Sequence, residues 1–94
     1  MDETVDISRM LDQSGKIDQF PKKKGARGAV LEYLADKFMM DRDYTEKEVN
    51  EICENWHTFG DFFLLRRELI QHGLLCRLPD GSRYWRPKKT EEQI

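Results

Sequence analysis

The sequence predicts an α+β domain of the winged helix-turn-helix type, with three main helices and a C-terminal β-hairpin wing. Apolar residues recur at helical spacing in three segments, and a glycine follows the third of them. A Pro-Asp-Gly-Ser turn then separates two short β-type runs near the C terminus. The resulting order of helix, short strand, helix, turn, helix and hairpin is typical of a winged helix.

The start of the chain contains a weak and a strong helical pattern. Residues 5–13 predict a short additional helix that ends at Ser14-Gly15. The first main helix is predicted over about residues 26–39, where one apolar face consists of Val30, Leu31, Leu34 and Phe38. We therefore divide the chain into an N-terminal extension at 1–20, a winged-helix domain at 21–87 and a frayed tail at 88–94.

The second and third helices have clear start and stop signals. Thr45-Glu46-Lys47-Glu48 is a capping box, which predicts a helix over about residues 46–56. Asp61, or else Thr58, caps the third helix, which is predicted to end at Gly73. Residues 74–78 and 83–86 form the strands of the hairpin, and a very short strand at Tyr44 is expected to pair with it.

Two adjacent arginines in the third helix are predicted to have different roles. At about 100° per residue, Arg66 falls inside the core face, whereas Arg67 falls on the opposite face beside Glu68. A guanidinium in a core needs an acceptor, so we predict a structural ion pair of Arg66 with Glu48 or Glu51. The acids near Arg67 favour a solvated or partner-binding face over DNA recognition, which remains the alternative for this residue.

Charge is segregated along the chain, although the net charge of −2 gives no general attraction to polyanions. Residues 21–28 contain four bases and no acid, and residues 60–89 contain seven bases against three acids. Two arginines flank two aromatic residues in the return strand of the hairpin, a pattern that suits nucleic acid and ordinary packing equally. The candidate nucleic-acid-binding residues are Lys22, Lys23, Lys24, Arg27, Arg67, Arg83 and Arg86.

The two cysteines and two histidines form a near-mirror pattern, Cys53-x3-His57 and His72-x3-Cys76. The two pairs lie at opposite ends of the third helix, roughly 16 Å apart at a rise of 1.5 Å per residue. A zinc ion needs every ligand within about 2.3 Å. We therefore predict no metal site and no disulfide, with Cys53 as a buried thiol.

The sequence contains no motif of an enzyme, such as a glycine-rich phosphate loop or a nucleophile elbow. No catalytic residue, cofactor or small-molecule substrate is predicted. No apolar run approaches the roughly 20 residues of a membrane span, and the acidic start MDETVDIS is unlike a secretory signal. The expected location is the cytoplasm.

Four blocks of the sequence carry a family resemblance. They are GKIDQFPKKKGARGAVLEYLADKF, YTEKEVNEI, LRRELIQHGLL and DGSRYWR. Over about residues 15–86 the chain resembles the prokaryotic domain of unknown function 2087. The residues that match the pattern of this family are Tyr44, Asn50, Arg66, Arg67, Tyr84 and Trp85. The resemblance implies a bacterial or phage-borne cytoplasmic protein linked to transcription, because members occur alone or fused to DNA-binding regulator or acetyltransferase domains. It implies no catalytic residue and no cofactor.

Two functional hypotheses follow from these observations. In the first, a transcription-associated winged-helix module binds nucleic acid weakly through the wing and the basic run. In the second, the same scaffold is an interaction module for a protein partner or for a second copy of the chain. Phosphate contacts weaken steeply with salt, whereas an apolar docking face does not. The sign of the charge on the outward side of the third helix is the observation that best separates the two.

Overall fold

The computed structural model describes residues 6–87. Its helices are α1 (Lys24–Ala35), α2 (Glu46–Asn55) and α3 (Phe62–Gln71). Three short strands, β1 (Asp43–Tyr44), β2 (Cys76–Arg77) and β3 (Tyr84–Trp85), form one antiparallel sheet in the order β1-β3-β2. The element order and the pairing of Tyr44 with Tyr84 confirm the predicted α+β fold. The tail predicted at 88–94 lies outside the described residues.

The helix boundaries follow from capping signals in the sequence. The hydroxyl oxygen of Thr45 accepts the amide of Glu48 at 3.1 Å, and the Glu48 carboxylate accepts the amide of Thr45 at 2.9 Å. This reciprocal pair is the predicted capping box of α2. The Asp61 carboxylate accepts the amide of Leu64 at 3.1 Å and so caps α3. Gly73, with a φ of +71°, takes the left-handed conformation that follows a helix end.

The core lies between the three helices and the sheet. Phe38, just beyond α1, packs edge-to-face on Tyr44 with the ring centroids 5.2 Å apart. Of the two aromatic residues of β3, Tyr84 is the buried one, as alternation along a strand predicts. The other fully buried side chains are Ile17, Val30, Leu31, Leu34, Val49, Cys53, Leu65, Leu69 and Leu75.

The chain before residue 21 contributes to this core, so packing does not end at the predicted domain boundary. Ile17 is fully buried. Its amide donates to the carbonyl of Trp56 at 2.7 Å, and its carbonyl accepts the amide of Thr58 at 3.0 Å. The hydroxyl of Tyr33 holds the same segment by donating to the carbonyl of Gly15 at 2.7 Å. These contacts join the N-terminal segment to α1 and to the end of α2.

The helix predicted over residues 5–13 is wrong for the part of it that the structure describes. The helical conformation there is a single 3-10 turn at Ser8–Met10. The carboxylate of Asp12 accepts the amides of Ser14 and Lys16, both at 2.9 Å, and this tight turn reverses the chain. A short polar side chain that bonds nearby amides thus competes successfully with helix formation.

A buried histidine connects α2 to α3. The Nδ1–H of His57 donates to the carbonyl of Cys53 at 2.7 Å, and its Nε2 accepts the amide of Asp61 at 2.8 Å. The ring therefore satisfies one backbone group at the end of α2 and another at the cap of α3. This arrangement fixes the turn that sets the orientation of α3.

Candidate nucleic-acid interface

The outward face of α3 is rotated about the helix axis by part of a turn from the face that the sequence predicts. Glu68, expected in solvent beside Arg67, is buried on the core side. Its Oε1 lies 3.8 Å from Nδ1 of His72 one turn later, at the edge of the core. Phe63, which the helical spacing of about 100° per residue places near the edge of the predicted core face, is 52% exposed. The predicted acid on the outward face of α3 is therefore absent from that face, and an aromatic ring is present there.

A groove of about 330 Å³ lies between the outward face of α3 and the hairpin. We call it the α3–hairpin groove; its lining residues are Phe63, Arg66, Arg67, Ile70, Gln71, Arg77 and Tyr84. The five residues from α3 face the two residues from the paired strands β2 and β3. Three of these lining residues are arginines, and none of the lining residues that the structure describes is a carboxylate.

Arg66 makes the predicted contact with α2, but with other partners. Its Nη1 donates to Oε2 of Glu46 at 3.1 Å and to Oδ1 of Asn50 at 2.7 Å. The two predicted acceptors lie elsewhere: Glu48 is used by the capping box, and Glu51 is exposed. Glu46 and Asn50 are one turn apart in α2 and so present their side chains on the same side of the helix. The structural role of Arg66 thus depends on this i and i+4 pair.

Glu46 borders the α3–hairpin groove and balances part of its charge. Besides its ion pair with Arg66, it accepts the hydroxyl of Tyr84 at 3.3 Å. Arg67 takes part in none of the salt bridges found within residues 6–87. Arg77 donates to a backbone carbonyl at the hairpin tip at 3.1 Å. Two of the three groove arginines therefore have no carboxylate partner in the described chain.

The tip of the hairpin carries a carboxylate as well as a guanidinium. Asp80 accepts the amide of Ser82 at 3.0 Å. Hydrogen bonds from the side chain and backbone of Ser82 lower the pKa of Asp80, so its carboxylate is ionised at neutral pH. The Arg77 guanidinium lies at the same tip, where it donates to the carbonyl of Pro79 and contributes to the lowered pKa of Asp80, so an anionic ligand would meet one base and one acid there.

The two arginines predicted to bind nucleic acid from the return strand lie outside the α3–hairpin groove. Arg86 donates to the carboxylate of Asp36 at 2.9 Å and to a backbone carbonyl just beyond α1 at 3.1 Å. Arg83 lies 3.5 Å from the carboxylate of Asp43 and stacks over the ring of Trp85 at 4.9 Å. Arg86 thus joins the end of the sheet to the end of α1. Binding of nucleic acid by Arg83 or Arg86 remains a prediction.

The basic run is also separate from the hairpin. Lys22–Lys24 are exposed where α1 begins, and Arg27 lies over the ring of Phe20 at 4.8 Å. The contact of Arg86 is at the opposite end of α1. A helix of 12 residues spans about 18 Å. The structure therefore does not bring the basic run and the return strand together, and nucleic-acid binding by the run also remains a prediction.

The cysteine and histidine pairs have structural surroundings. Burial raises the pKa of Cys53 to about 12, which keeps the thiol protonated at neutral pH. Both ring nitrogens of His57 bond to backbone groups. Between residues 6 and 87, no three His, Cys, Asp or Glu side chains are grouped so that they could hold a metal ion. Of the helices in this range, none is both long and apolar enough to cross a membrane.

Five lining residues of the groove were not among the candidate site residues drawn from the sequence: Phe63, Ile70, Gln71, Arg77 and Tyr84. The available signal was spacing, because Phe63, Arg67 and Gln71 stand at i, i+4 and i+8 and so share one helix face. Arg77 could be placed on the hairpin from the sequence, but its position beside α3 depends on how the hairpin folds back.

A family model, DUF2087, described as an uncharacterized protein conserved in bacteria, matches residues 16–86. The matched range contains all three helices and all three strands described above. It is the family indicated by the sequence blocks, and it includes Ile17 at its N-terminal end. No curated protein and no solved structure matches the chain.

Proposed function

Because the chain belongs to the DUF2087 family, whose description names no activity, we propose a function from the geometry of its surface. The protein is a winged-helix module with a transcription-associated role that binds duplex DNA through the α3–hairpin groove. The supporting observation is the charge of this groove, which has three lining arginines and no lining carboxylate among the described residues.

The arrangement of the groove suits a DNA duplex. The major groove of B-DNA, about 12 Å wide, admits one α-helix. The outward face of α3 carries the polar side chains of Arg67 and Gln71, which can form hydrogen bonds with base edges. Arg77, on the neighbouring strand, is placed to contact a phosphate of the flanking backbone. Helix and hairpin would thus engage the duplex at the same time.

The charge balance predicts modest affinity. Arg66 is partly neutralised by Glu46, so Arg67 and Arg77 supply most of the positive charge of the groove. Few phosphates would be neutralised, which gives a sequence-independent Kd of about 10⁻⁴–10⁻⁶ M near physiological salt. Because counterions are released, binding to unrelated duplexes should weaken as salt is raised, by about tenfold between 50 and 200 mM for two neutralised phosphates.

A second candidate is docking of a protein segment in the same groove. The exposed ring of Phe63 and the half-buried side chain of Ile70 give this surface apolar area on which a protein segment could pack. An acidic helix with apolar anchors would contact both these apolar side chains and the arginines. The affinity of such a partner would depend less on salt than binding of a duplex, because apolar contacts are not screened.

The test is a fluorescence anisotropy titration of labelled duplexes of unrelated sequence at several salt concentrations. We expect the Arg67→Ala, Arg77→Ala double variant to lose most of the binding. Arg83→Ala removes one arginine outside the groove, so binding like that of the wild type would support the groove over the return strand. A further variant with Lys22, Lys23 and Lys24 changed to Ala tests the basic run.

If the groove double variant still binds and Arg83→Ala does not, the interface lies on the return strand. If the groove double variant still binds and the lysine variant does not, the interface lies on the basic run. Absence of binding to every duplex at low salt would refute the DNA proposal. The groove would then be tested against acidic amphipathic peptides.

A further inference from the structure

We propose that the outward stripe of α3 reads a short DNA sequence, with Arg67 on a guanine, Gln71 on an adenine and Phe63 on a thymine methyl group. This inference rests on the proposed DNA-binding function and goes beyond it, because phosphate contacts alone give no sequence preference. The observation behind it is that these three side chains are exposed and line one groove.

The spacing of the stripe matches about every second base pair. Phe63, Arg67 and Gln71 follow each other at intervals of four residues. At a rise of 1.5 Å per residue, neighbours are about 6 Å apart and the whole stripe spans about 12 Å. Base pairs in B-DNA are stacked about 3.4 Å apart along the axis. The stripe therefore covers about three to four base pairs.

The three side chains have distinct partners on the base edges. The guanidinium of an arginine pairs with O6 and N7 of guanine, and the amide of a glutamine pairs with N6 and N7 of adenine. An aromatic ring makes apolar contact with the thymine methyl group in the major groove. Arg67 and Gln71 each offer such a bidentate fork, and Phe63 is 52% exposed at the N-terminal end of the stripe.

The neighbours of the stripe keep it ordered and available. Arg66 lies over the ring of Phe63 at 4.9 Å and is itself held by Glu46 and Asn50. This stack fixes the ring without covering it. Arg67 has no salt-bridge partner among residues 6–87, so no ion pair within that range must be broken before it contacts a base.

The experiment is selection of duplexes from a randomised pool by the full chain, followed by titration of the enriched duplex and its single-base variants. We expect an enriched element with a guanine and an adenine within three to four base pairs. Replacing either base should weaken binding by about 10- to 100-fold. Gln71→Ala should abolish discrimination at the adenine alone, and Arg67→Ala should abolish it at the guanine alone.

Arg77→Ala is the matched control, because it removes a groove arginine assigned to phosphate. It should weaken binding to all duplexes by a similar factor and leave the enriched element unchanged. Arg67 and Gln71 are both exposed, so their replacement by alanine should leave the fold intact. A thermal melt of each variant checks that it is folded.

The outcomes separate this inference from the proposed function. Binding without any enriched element overturns the readout by α3 but keeps the DNA-binding proposal. An enriched element that Arg67→Ala and Gln71→Ala both leave unchanged also overturns the readout. Absence of binding to the whole pool, with capture of an acidic peptide instead, overturns both proposals.

Discussion

Arg66 and Arg67 are neighbours in the chain with opposite environments. The side chain of Arg66 is 15% exposed and donates to Asn50 and Glu46, whereas Arg67 is exposed. We expect Arg66→Ala to lower the free energy of unfolding by about 1–3 kcal/mol, because it leaves the oxygen of Asn50 without its donor. The ion pair itself adds little, since the Glu46 side chain is 47% exposed. Chemical denaturation followed by circular dichroism measures the change.

Arg67→Ala is the control for this prediction and should change the free energy of unfolding by no more than about 0.5 kcal/mol. Arg66→Lys keeps the charge but loses the planar fork, so an intermediate loss is expected. Equal losses in the Arg66→Ala and Arg67→Ala variants would contradict the assignment of Arg66 as the structural arginine.

The partners of Arg66 show how far residue-level prediction from sequence can go. That an arginine in this helix needs an acceptor from α2 follows from the cost of burying a charge. Which acceptor it finds depends on the angle at which α2 and α3 cross. Glu46 and Asn50 face α3, while Glu48 is committed to the cap of its own helix. The contact of Arg66 with α2 was therefore predicted correctly, but its partners were not, and its structural role stays a prediction.

At the scale of elements, the helix boundaries could be predicted, because capping signals act within one turn. The side of α3 that faces the core could not be predicted. The caps at Thr45 and Asp61 bond amides three residues away and are visible in the sequence. α3 begins with four consecutive apolar residues, Phe-Phe-Leu-Leu, so several rotations give a similarly apolar face. Packing against α1 and α2 selects the rotation that buries Glu68 and exposes Phe63. The groove was missed for this reason.

The N-terminal segment gives the second prediction at this scale. Ile17 is fully buried and bonds through its backbone to the turn between α2 and α3. We expect Ile17→Ala to lower the free energy of unfolding by about 2–5 kcal/mol, because it leaves a cavity in the core. Ile7→Ala makes the same chemical change at a partly buried position and should lower it by less. A denaturant titration compares the two variants.

If Ile17→Ala lowered the free energy of unfolding as little as Ile7→Ala, the packing of the segment before residue 21 would contribute little to stability. The segment would then be an extension of the domain, as predicted from the sequence. The sequence could not reveal this role, because isolated apolar residues such as Ile17 have no periodicity. The burial of Ile17 depends on a β-bridge to His57, which lies 40 positions later in the chain.

At the scale of the whole molecule, a small negative net charge coexists with a basic groove. The net charge of −2 would not attract a polyanion from a distance. The two acids at α3 do not line the groove, because Glu68 is buried and Asp61 caps the start of the helix. Local charge therefore determines which ligands fit, and overall charge sets only how fast they arrive.

The charge of the α3–hairpin groove can be changed by a substitution at Glu46. It lies beside Arg66 and Tyr84, and a β-carbon added at Gly81 would come within 3.2 Å of its carboxylate. Glu46→Gln removes the charge and keeps an oxygen that accepts hydrogen bonds. We expect it to raise the affinity for duplex DNA by about two- to tenfold at low salt, because a nearby unit charge repels phosphate by that order of energy.

The matched control is Glu54→Gln, which makes the same change in net charge at an exposed position near the other end of α2, about 12 Å along the helix. It should alter the affinity much less in physiological salt, where that distance exceeds the Debye length of about 8 Å. Anisotropy titrations at two salt concentrations compare the variants, and the gain from Glu46→Gln should shrink at the higher one. Equal gains from both substitutions would show that net charge, and not the α3–hairpin groove, governs binding. No gain from Glu46→Gln at low salt would mean that DNA does not approach this side of α3.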